Sequence, residues 1–329
     1  MPDRTDTLTA DPPPADVAAE LAGLVDALDR RLPRKQPTNL LVGTWNVRGF
    51  DRFDPKWRSR PGDSPIRDRS NVAAIAEIVR RFDVVAVQEV RRSAQAFLLM
   101  MRRLGPDWAF LVTDVTEGRP GNGERLAFVY DTTRVQPSGL ACELVVAARD
   151  ALPAGSPPAT ALDRQFARTP YAASFVRGSS RFTLVTLHVL YGDAPADRVP
   201  ELTALAQWLQ RWSASPDPWG ENLMALGDFN IDRRGDPLYD AFTSTGLRPP
   251  DGLNHVPRTI FDDPDAPPDD HSFYDQIAWF PQGRARLTLP FVNAGTFDFT
   301  AGGLVPAVDD RQLSFRISDH FPLWCEFTT

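Results

Sequence analysis

Polar residues stand directly after short apolar runs throughout this chain, and their types are those of cation and proton-transfer chemistry. Asn46 follows Leu-Leu-Val-Gly-Thr-Trp, Glu89 follows Val-Val-Ala-Val-Gln, and His188 follows Leu-Val-Thr-Leu. Asp228 and Asn230 follow Leu-Met-Ala-Leu-Gly, Asp275 sits in Phe-Tyr-Asp-Gln-Ile, and Asp319–His320 immediately precede the last apolar run. Carboxylates and amide oxygens without a matching set of thiolates suit a hard cation such as Mg²⁺, Mn²⁺ or Ca²⁺. Histidines with carboxylates nearby suit proton transfer, and the chain has only 4 histidines. Each residue alone has a second reading. A strand-terminal Asp or Asn serves as a turn residue or helix cap. Gly-Asp-Phe-Asn reads as a tight turn, Glu89 as the point where a strand meets solvent, and Asp319–His320 as a cap before Pro322. What argues for a site is the recurrence of one kind of residue at strand end after strand end.

The elements that must position these groups are short. Strands are expected at Leu40–Val47, Val84–Val90, Leu126–Tyr130, Ala172–Val176, Phe182–Leu190, Leu223–Phe229, Ser272–Phe280 and Pro322–Phe327, all rich in Val, Leu, Phe and Thr. Helical spacing covers Ser70–Arg81, Ser93–Leu104 and Pro200–Trp212. Pro153–Pro158 and Asp262–Asp270 read as loops. Strands feeding helices through most of the chain indicate an α/β architecture, and open sheets of that kind hold ligands beyond their strand ends. Residues 1–37 read as a tail. In it Pro12–Pro14 precede Ala15–Arg31, where Val17, Leu21, Leu24, Val25 and Leu28 recur on one amphipathic face. That helix lies on the body or on a partner. Residues 38–329 are taken as one catalytic domain, since no linker divides them.

Bulk properties narrow the classes. With 329 residues and 42% hydrophobic content the chain buries a sizeable core. No stretch approaches the run of about 18 apolar residues that spans a bilayer. Neither a secretory signal nor a disulfide framework is visible, with Cys142 and Cys325 the only cysteines, so a cytoplasmic location is expected. The net charge of -7 argues mildly against a polyanion partner. Acids gathered at a cation site lower the total without opposing phosphate, because bound cations reverse the local sign. Arg52, Lys56, Arg58, Arg60, Arg67 and Arg69 crowd one segment, which reads either as phosphate contacts or as a solvated loop.

The ordered set of motifs resembles the endonuclease/exonuclease/phosphatase superfamily, within it the deoxyribonuclease I branch. The matching pieces are Thr-Trp-Asn-Val-Arg (44–48), Ile-Val-Arg-Arg-Phe-Asp-Val-Val-Ala-Val-Gln-Glu-Val-Arg (78–91), Glu-Arg-Leu-Ala-Phe-Val-Tyr (124–130) and Phe-Ala-Arg-Thr-Pro (166–170). Leu-His (187–188), Gly-Asp-Phe-Asn (227–230), Tyr-Asp-Gln-Ile (274–277), Phe-Asp-Phe (297–299) and Ile-Ser-Asp-His-Phe-Pro (317–322) continue the series. The fold this implies is a four-layer sandwich, two packed and mainly antiparallel mixed sheets flanked by helices, with the site at one end. The resemblance implies Glu89 as principal metal ligand with Asn46 beside it. Asp228, Asn230 and Asp319 would serve a second cation or the scissile phosphate. His188 with Glu124 and His320 with Asp275 match the catalytic pairs, of which His320 is favoured as base. Arg168 matches a phosphate-site arginine, and Arg48 and Arg91 match residues facing the nucleic acid.

The implied activity is Mg²⁺-dependent hydrolysis of a nucleic-acid backbone, DNA ahead of RNA, with Mn²⁺ or Ca²⁺ as alternative ions. A phosphatase or phosphodiesterase acting on an inositol phosphate or phospholipid head group is the nearest rival, because fold does not fix function. A non-catalytic module that kept the fold is a third reading, which the complete set of ligands and histidines opposes. The chain departs from the branch in three places. Asn122 stands where a groove-contacting tyrosine precedes the carboxylate, the disulfides of secreted relatives are absent, and the connection from Asn46 to Ser70 is longer. No feature of the sequence fixes an oligomeric state.

Overall fold

Alternation along the strands sends successive side chains to opposite faces, and in this chain both faces are apolar, so each sheet needs cover on two sides. A computed structural model describes residues 11–117, 121–144, 166–215, 218–283, 286–301 and 308–329; the expected loop Pro153–Pro158 lies outside them. In chain order the elements begin with α1 (Ala15–Arg31), β1 (Asn39–Phe50), α2 (Arg69–Val79), β2 (Val84–Arg91), α3 (Gln95–Leu104), β3 (Trp108–Val112), β4 (Glu124–Asp131) and β5 (Gln136–Glu143). They continue with β6 (Tyr171–Arg177), β7 (Ser180–His188), α4 (Val199–Ala214), β8 (Leu223–Asp228), α5 (Pro237–Thr243), β9 (Asp275–Trp279), β10 (Phe291–Thr296), α6 (Asp310–Arg316) and β11 (Leu323–Thr328).

These strands form a six-stranded sheet in the order β10-β11-β1-β2-β4-β3 and a five-stranded sheet in the order β5-β6-β7-β8-β9. Only β1–β2 and β7–β8 run parallel, with α2 and α4 as their respective crossovers. The expected sandwich of two mainly antiparallel mixed sheets is therefore observed. Leu40, Val42, Val84 and Ala86 meet Phe175, Leu184, Leu226 and Ile277 between the sheets. On the outer face of the first sheet, Val85 and Val87 pack with Val72, Ile75 and Phe97. Val185 and Leu187 pack outward under Leu202, Leu205 and Phe242. Each fully buried Val, Leu or Phe stabilises by roughly 1.5–3 kcal/mol.

Register carries the strand-end residues to one place. Pairing sets His188 beside Asp228 and Asp228 beside Asp275 on three neighbouring strands. Gly227 is required there. It has a φ of 142°, and a Cβ on it would sit 2.1 Å from the Leu187 carbonyl oxygen. Gly-Asp-Phe-Asn is thus the end of a buried strand and the loop leaving it, not a free-standing tight turn. The expected strand Ser272–Phe280 begins only at Asp275.

The N-terminal helix and the basic segment are built onto the same body. Leu24, Leu28 and Leu32 join the core formed by Ile75, Ile78 and Val79, and Val17 packs with Trp57 and Ala73. Most charges of the basic cluster are engaged inside the protein. Arg58 pairs with Glu20, Arg69 with Asp11 at 2.7 Å, and Lys56 bridges Asp54 and Asp63. Arg67 is 2% exposed. Its guanidinium donates to four main-chain carbonyls, those of Arg48 (2.6 Å), Gly49 (2.9 Å), Arg316 (2.9 Å) and Ile317 (3.1 Å). A phosphate contact from Arg67 is therefore ruled out by burial and by occupancy of its donors. Among the described residues, Arg52 and Arg60 make no side-chain hydrogen bond or ion pair. Asp68 and Asn71 close a reciprocal cap that starts α2 just beyond this loop. No helix of the described residues is long and apolar enough to cross a membrane.

Arg67 ties the end of β1 to the segment leading into Asp319 and His320. Removing it leaves buried carbonyls without donors, so Arg67→Ala is expected to cost roughly 3 kcal/mol of unfolding free energy in urea titrations. A loss under about 1 kcal/mol would show that water or neighbouring donors replace the fork.

Candidate active site

Glu89 is delivered by an irregularity rather than by plain strand. The β1–β2 register shifts between Asn46 and Phe50, the β2–β4 register shifts between Val87 and Val90, and Glu89 adopts a φ of 60°. Such left-handed geometry in a residue with a side chain is costly and concentrates at functional sites. Here it turns the Glu89 carboxylate toward Asn46 Nδ2 (3.3 Å) and the Gly49 amide (2.8 Å). Asn46 Nδ2 also donates to Asp228 Oδ2 at 3.0 Å. With its amide nitrogen held by two carboxylates, Asn46 Oδ1 is buried with no hydrogen-bond partner among the described residues. A buried, orphaned amide oxygen on a side chain that also contacts two carboxylates offers the oxygen donors a hard cation takes, so the residues present fit such an ion.

Two histidine–carboxylate pairs flank the same point. His188 Nδ1 lies 2.9 Å from Glu124 Oε2, and His188 Nε2 lies 3.5 Å from Asp228 Oδ2. His320 Nδ1 donates to Asp275 Oδ2 at 2.6 Å, with its Nε2 3.9 Å from Asp228 Oδ2. The expected pairings are thus the observed ones. Their electrostatics differ. Burial works to raise the Glu124 pKa, but His188, Arg168 and Arg91 outweigh it and hold it at about 2. For Asp275 burial prevails over His320 and raises the carboxyl to about 6. Burial also opposes the His320 imidazolium, yet Asp275, Asp228 and Asp319 together lift that ring to about 10.

The other expected residues divide. Arg168 Nε contacts Glu124 Oε2 at 2.5 Å, and its buried Nη1 has no hydrogen-bond partner among the described residues. Arg91 reaches both Glu89 (3.2 Å) and Glu124 (3.4 Å). Asn230, at a φ of 51°, donates from Nδ2 to the Val189 carbonyl, and its backbone amide donates to Asp228 Oδ1. Asp319 is less central. Its carboxylate is tied to Arg48 at 2.7 Å, so Arg48 neighbours the candidate ligands instead of standing free in a groove.

Positioning residues were not singled out by the sequence. Ser318 Oγ donates to the Asn46 carbonyl at 2.6 Å and accepts from the amides of Arg48 and His320, stitching β1 to the His320 segment. It lies inside a quoted motif, which was the available signal. Gln88 Nε2 donates to Thr186 Oγ1, joining the two sheets under the site. Arg258 is fully buried behind Asp275, donates to its carbonyl at 3.2 Å, and stacks on Phe273. Nothing in Val-Pro-Arg-Thr marks it in advance.

A helix-flanked double sheet with candidate cation ligands and two histidine–carboxylate pairs at one end is the arrangement of a phosphoester hydrolase. Residues 43–320 match the Endonuclease/Exonuclease/phosphatase family, and the chain belongs to it. A protein named Deoxyribonuclease from Thioalkalivibrio sp. (strain K90mix) is 29% identical over 269 residues, 77% of this chain and 65% of that protein. The chain therefore spans just under two thirds of that relative. Deoxyribonuclease-1 of Bos taurus is 24% identical over 303 residues, covering 87% of this chain and 91% of that protein. Among solved structures, mannosyl-6-phosphatase of Bacteroides thetaiotaomicron superposes with a TM-score of 0.56 at 18% identity, covering 88% of this chain and 100% of that one. At such identity the likeness is one of fold.

Because three carboxylates raise the His320 pKa, a divalent ion that neutralises part of their charge should lower it. Ring-resolved NMR titration in EDTA is expected to show His320 protonated until about pH 10. With excess Mg²⁺ the midpoint should fall by at least about one unit. An unmoved midpoint would place the ion away from Asp228 and Asp319.

Proposed function

We propose that this protein is a divalent-cation-dependent endonuclease that hydrolyses the phosphodiester backbone of DNA, with Mg²⁺ as the ion. The observation that carries the reading is the convergence of two histidine Nε2 atoms on one Asp228 oxygen, at 3.5 and 3.9 Å, each ring held from behind by its own carboxylate. A phosphate placed there meets a proton acceptor on one side and a donor on the other.

In this reading Glu89 and Asn46 hold the cation, with Asp228 and Asp319 serving it or a second one. A bound ion would supply charge stabilisation to the non-bridging oxygens. Asp275 fixes the orientation of His320. Because Asp275, Asp228 and Asp319 hold that ring protonated, its Nε2 gives a proton to the leaving oxygen as the P–O bond breaks, the reverse of the role expected from sequence. His188, held by the ionised Glu124, takes the proton from the water that attacks phosphorus. Arg168 directs its unengaged Nη1 to a non-bridging oxygen, and Asn230 and Asp228 orient the phosphate. Arg48 and Arg91 border the strand on either side of the scissile bond. The deoxyribonuclease relatives support a DNA substrate. A phosphatase acting on a small phosphoester is the second reading, favoured by the net charge of -7.

His188→Ala and His320→Ala are each expected to lower turnover by about two to four orders of magnitude while thermal midpoints stay near that of the wild type. Near-normal turnover of either purified variant would sink the assignment. Incubation with plasmid DNA, bis-(p-nitrophenyl) phosphate and an inositol phosphate, each with Mg²⁺, Mn²⁺ or EDTA, separates the readings. Nicking of plasmid only with metal supports the nuclease; hydrolysis of the monoester alone supports the phosphatase.

A further inference from the structure

Next to Glu89 and Asp319 the surface sinks into a cavity of about 730 Å³, lined in part by residues 63–67 of the long connection between β1 and α2. That segment is held in place. Arg67 clamps four carbonyls, Asp68 caps α2, and Arg58 pairs with Glu20 of α1. Phe315, which remains 47% exposed, lines the same cavity as Pro65 and Ile66. The guanidinium of Arg48 covers one face of that ring at 4.3 Å. Arg52, exposed and without a side-chain partner among the described residues, lines the same cavity.

An exposed aromatic ring in a cavity takes a flat ring, and an uncommitted arginine takes an anion. A nucleotide offers both. Exposed aromatic rings stack bases without regard to sequence, and each such contact contributes about 1–3 kcal/mol. A base seated in this cavity is out of pairing with a complementary strand, a state that a single strand offers without the unstacking and unpairing cost a duplex pays. We propose that this cavity is a subsite for one unpaired nucleotide adjacent to the scissile phosphate. The base rests against Phe315 and a neighbouring phosphate rests on Arg52. The enzyme is thereby directed to single-stranded DNA. The inference rests on the nuclease reading given above and adds the substrate class.

The test uses the full chain with Mg²⁺ and one DNA oligonucleotide lacking self-complementarity, supplied alone or annealed to its complement. Bis-(p-nitrophenyl) phosphate, too small to reach the subsite, reports the bare chemistry. The wild type is expected to cleave the single strand with a kcat/KM at least about tenfold above the duplex, within the range of one stacked base. Phe315→Ala should lose about tenfold on the single strand while hydrolysing bis-(p-nitrophenyl) phosphate at the wild-type rate. Phe315→Tyr should retain single-strand cleavage, which a loss of folding would not allow. Arg52→Gln should flatten the dependence of log kcat/KM on log salt by about 0.7, the slope of one single-strand phosphate. Equal cleavage of single strand and duplex, or an unchanged Phe315→Ala, overturns the subsite and leaves the nuclease reading standing. Hydrolysis of bis-(p-nitrophenyl) phosphate with neither oligonucleotide cut overturns both.

Discussion

One buried oxygen, Asp228 Oδ2, is the point to which the two halves of the molecule must agree. Asn46 from the first sheet reaches it at 3.0 Å, His188 from the second at 3.5 Å, and His320, just before the last strand, at 3.9 Å. Asp228 is 2% exposed, and an ionised carboxylate at that depth is costly unless donors and positive charge surround it. Burial does push its pKa upward, but His188, His320 and Asn46 outweigh that and hold the carboxyl below its usual range. The sandwich cannot slide by a residue without stranding this charge. Gly227 shows how tight the fit is, since β7 passes where a side chain would begin.

Around that oxygen the two histidine–carboxylate pairs are alike in geometry and unlike in charge. Glu124 is gripped by Arg168 and Arg91 as well as His188 and is pinned in its ionised form. Among the described residues no arginine pairs directly with the Asp275 carboxylate; Arg258 donates to its backbone carbonyl, and burial leaves the carboxyl easier to protonate. Environments that drive two similar groups apart are how one site holds a proton acceptor and a proton donor at a single pH. The asymmetry follows from where the arginines sit, since Arg168 and Arg91 help hold Glu124 ionised and no such pair adjoins Asp275 among the described residues.

The sequence made most of this legible because the site hangs on the parts of the fold with the strongest signals. Buried runs such as Val84–Val87 and Leu223–Leu226 announce strands, and the polar residue that ends each run is the one the structure brings to the centre. What escaped were elements without that contrast. The edge strands β5 and β10 alternate weakly and lie partly exposed, and the seven-residue helices α5 and α6 are too short for a periodic pattern. Arg67 and Arg258 were invisible for a different reason. An arginine reads as a surface charge unless something shows that its fork will meet backbone carbonyls, and those carbonyls come from residues far away in the sequence.

That reassignment of arginines also resolves the tension between an acidic chain and an anionic substrate. The basic segment from Arg52 to Arg69 does not form a polyanion-attracting patch, because Lys56, Arg58, Arg67 and Arg69 are consumed in holding the loop and α1 together. What remains near the site is small in number and placed by structure: the free Nη1 of Arg168, the open side chain of Arg52, and whatever positive charge the Glu89–Asn46 pocket binds. In the proposed nuclease, long-range steering by net charge would therefore contribute little, and phosphate would be recognised through short-range contacts that a bound cation completes. The basic loop matters less for its charge than for its shape, since its fixed residues 63–67 help line the cavity that adjoins Glu89 and Asp319.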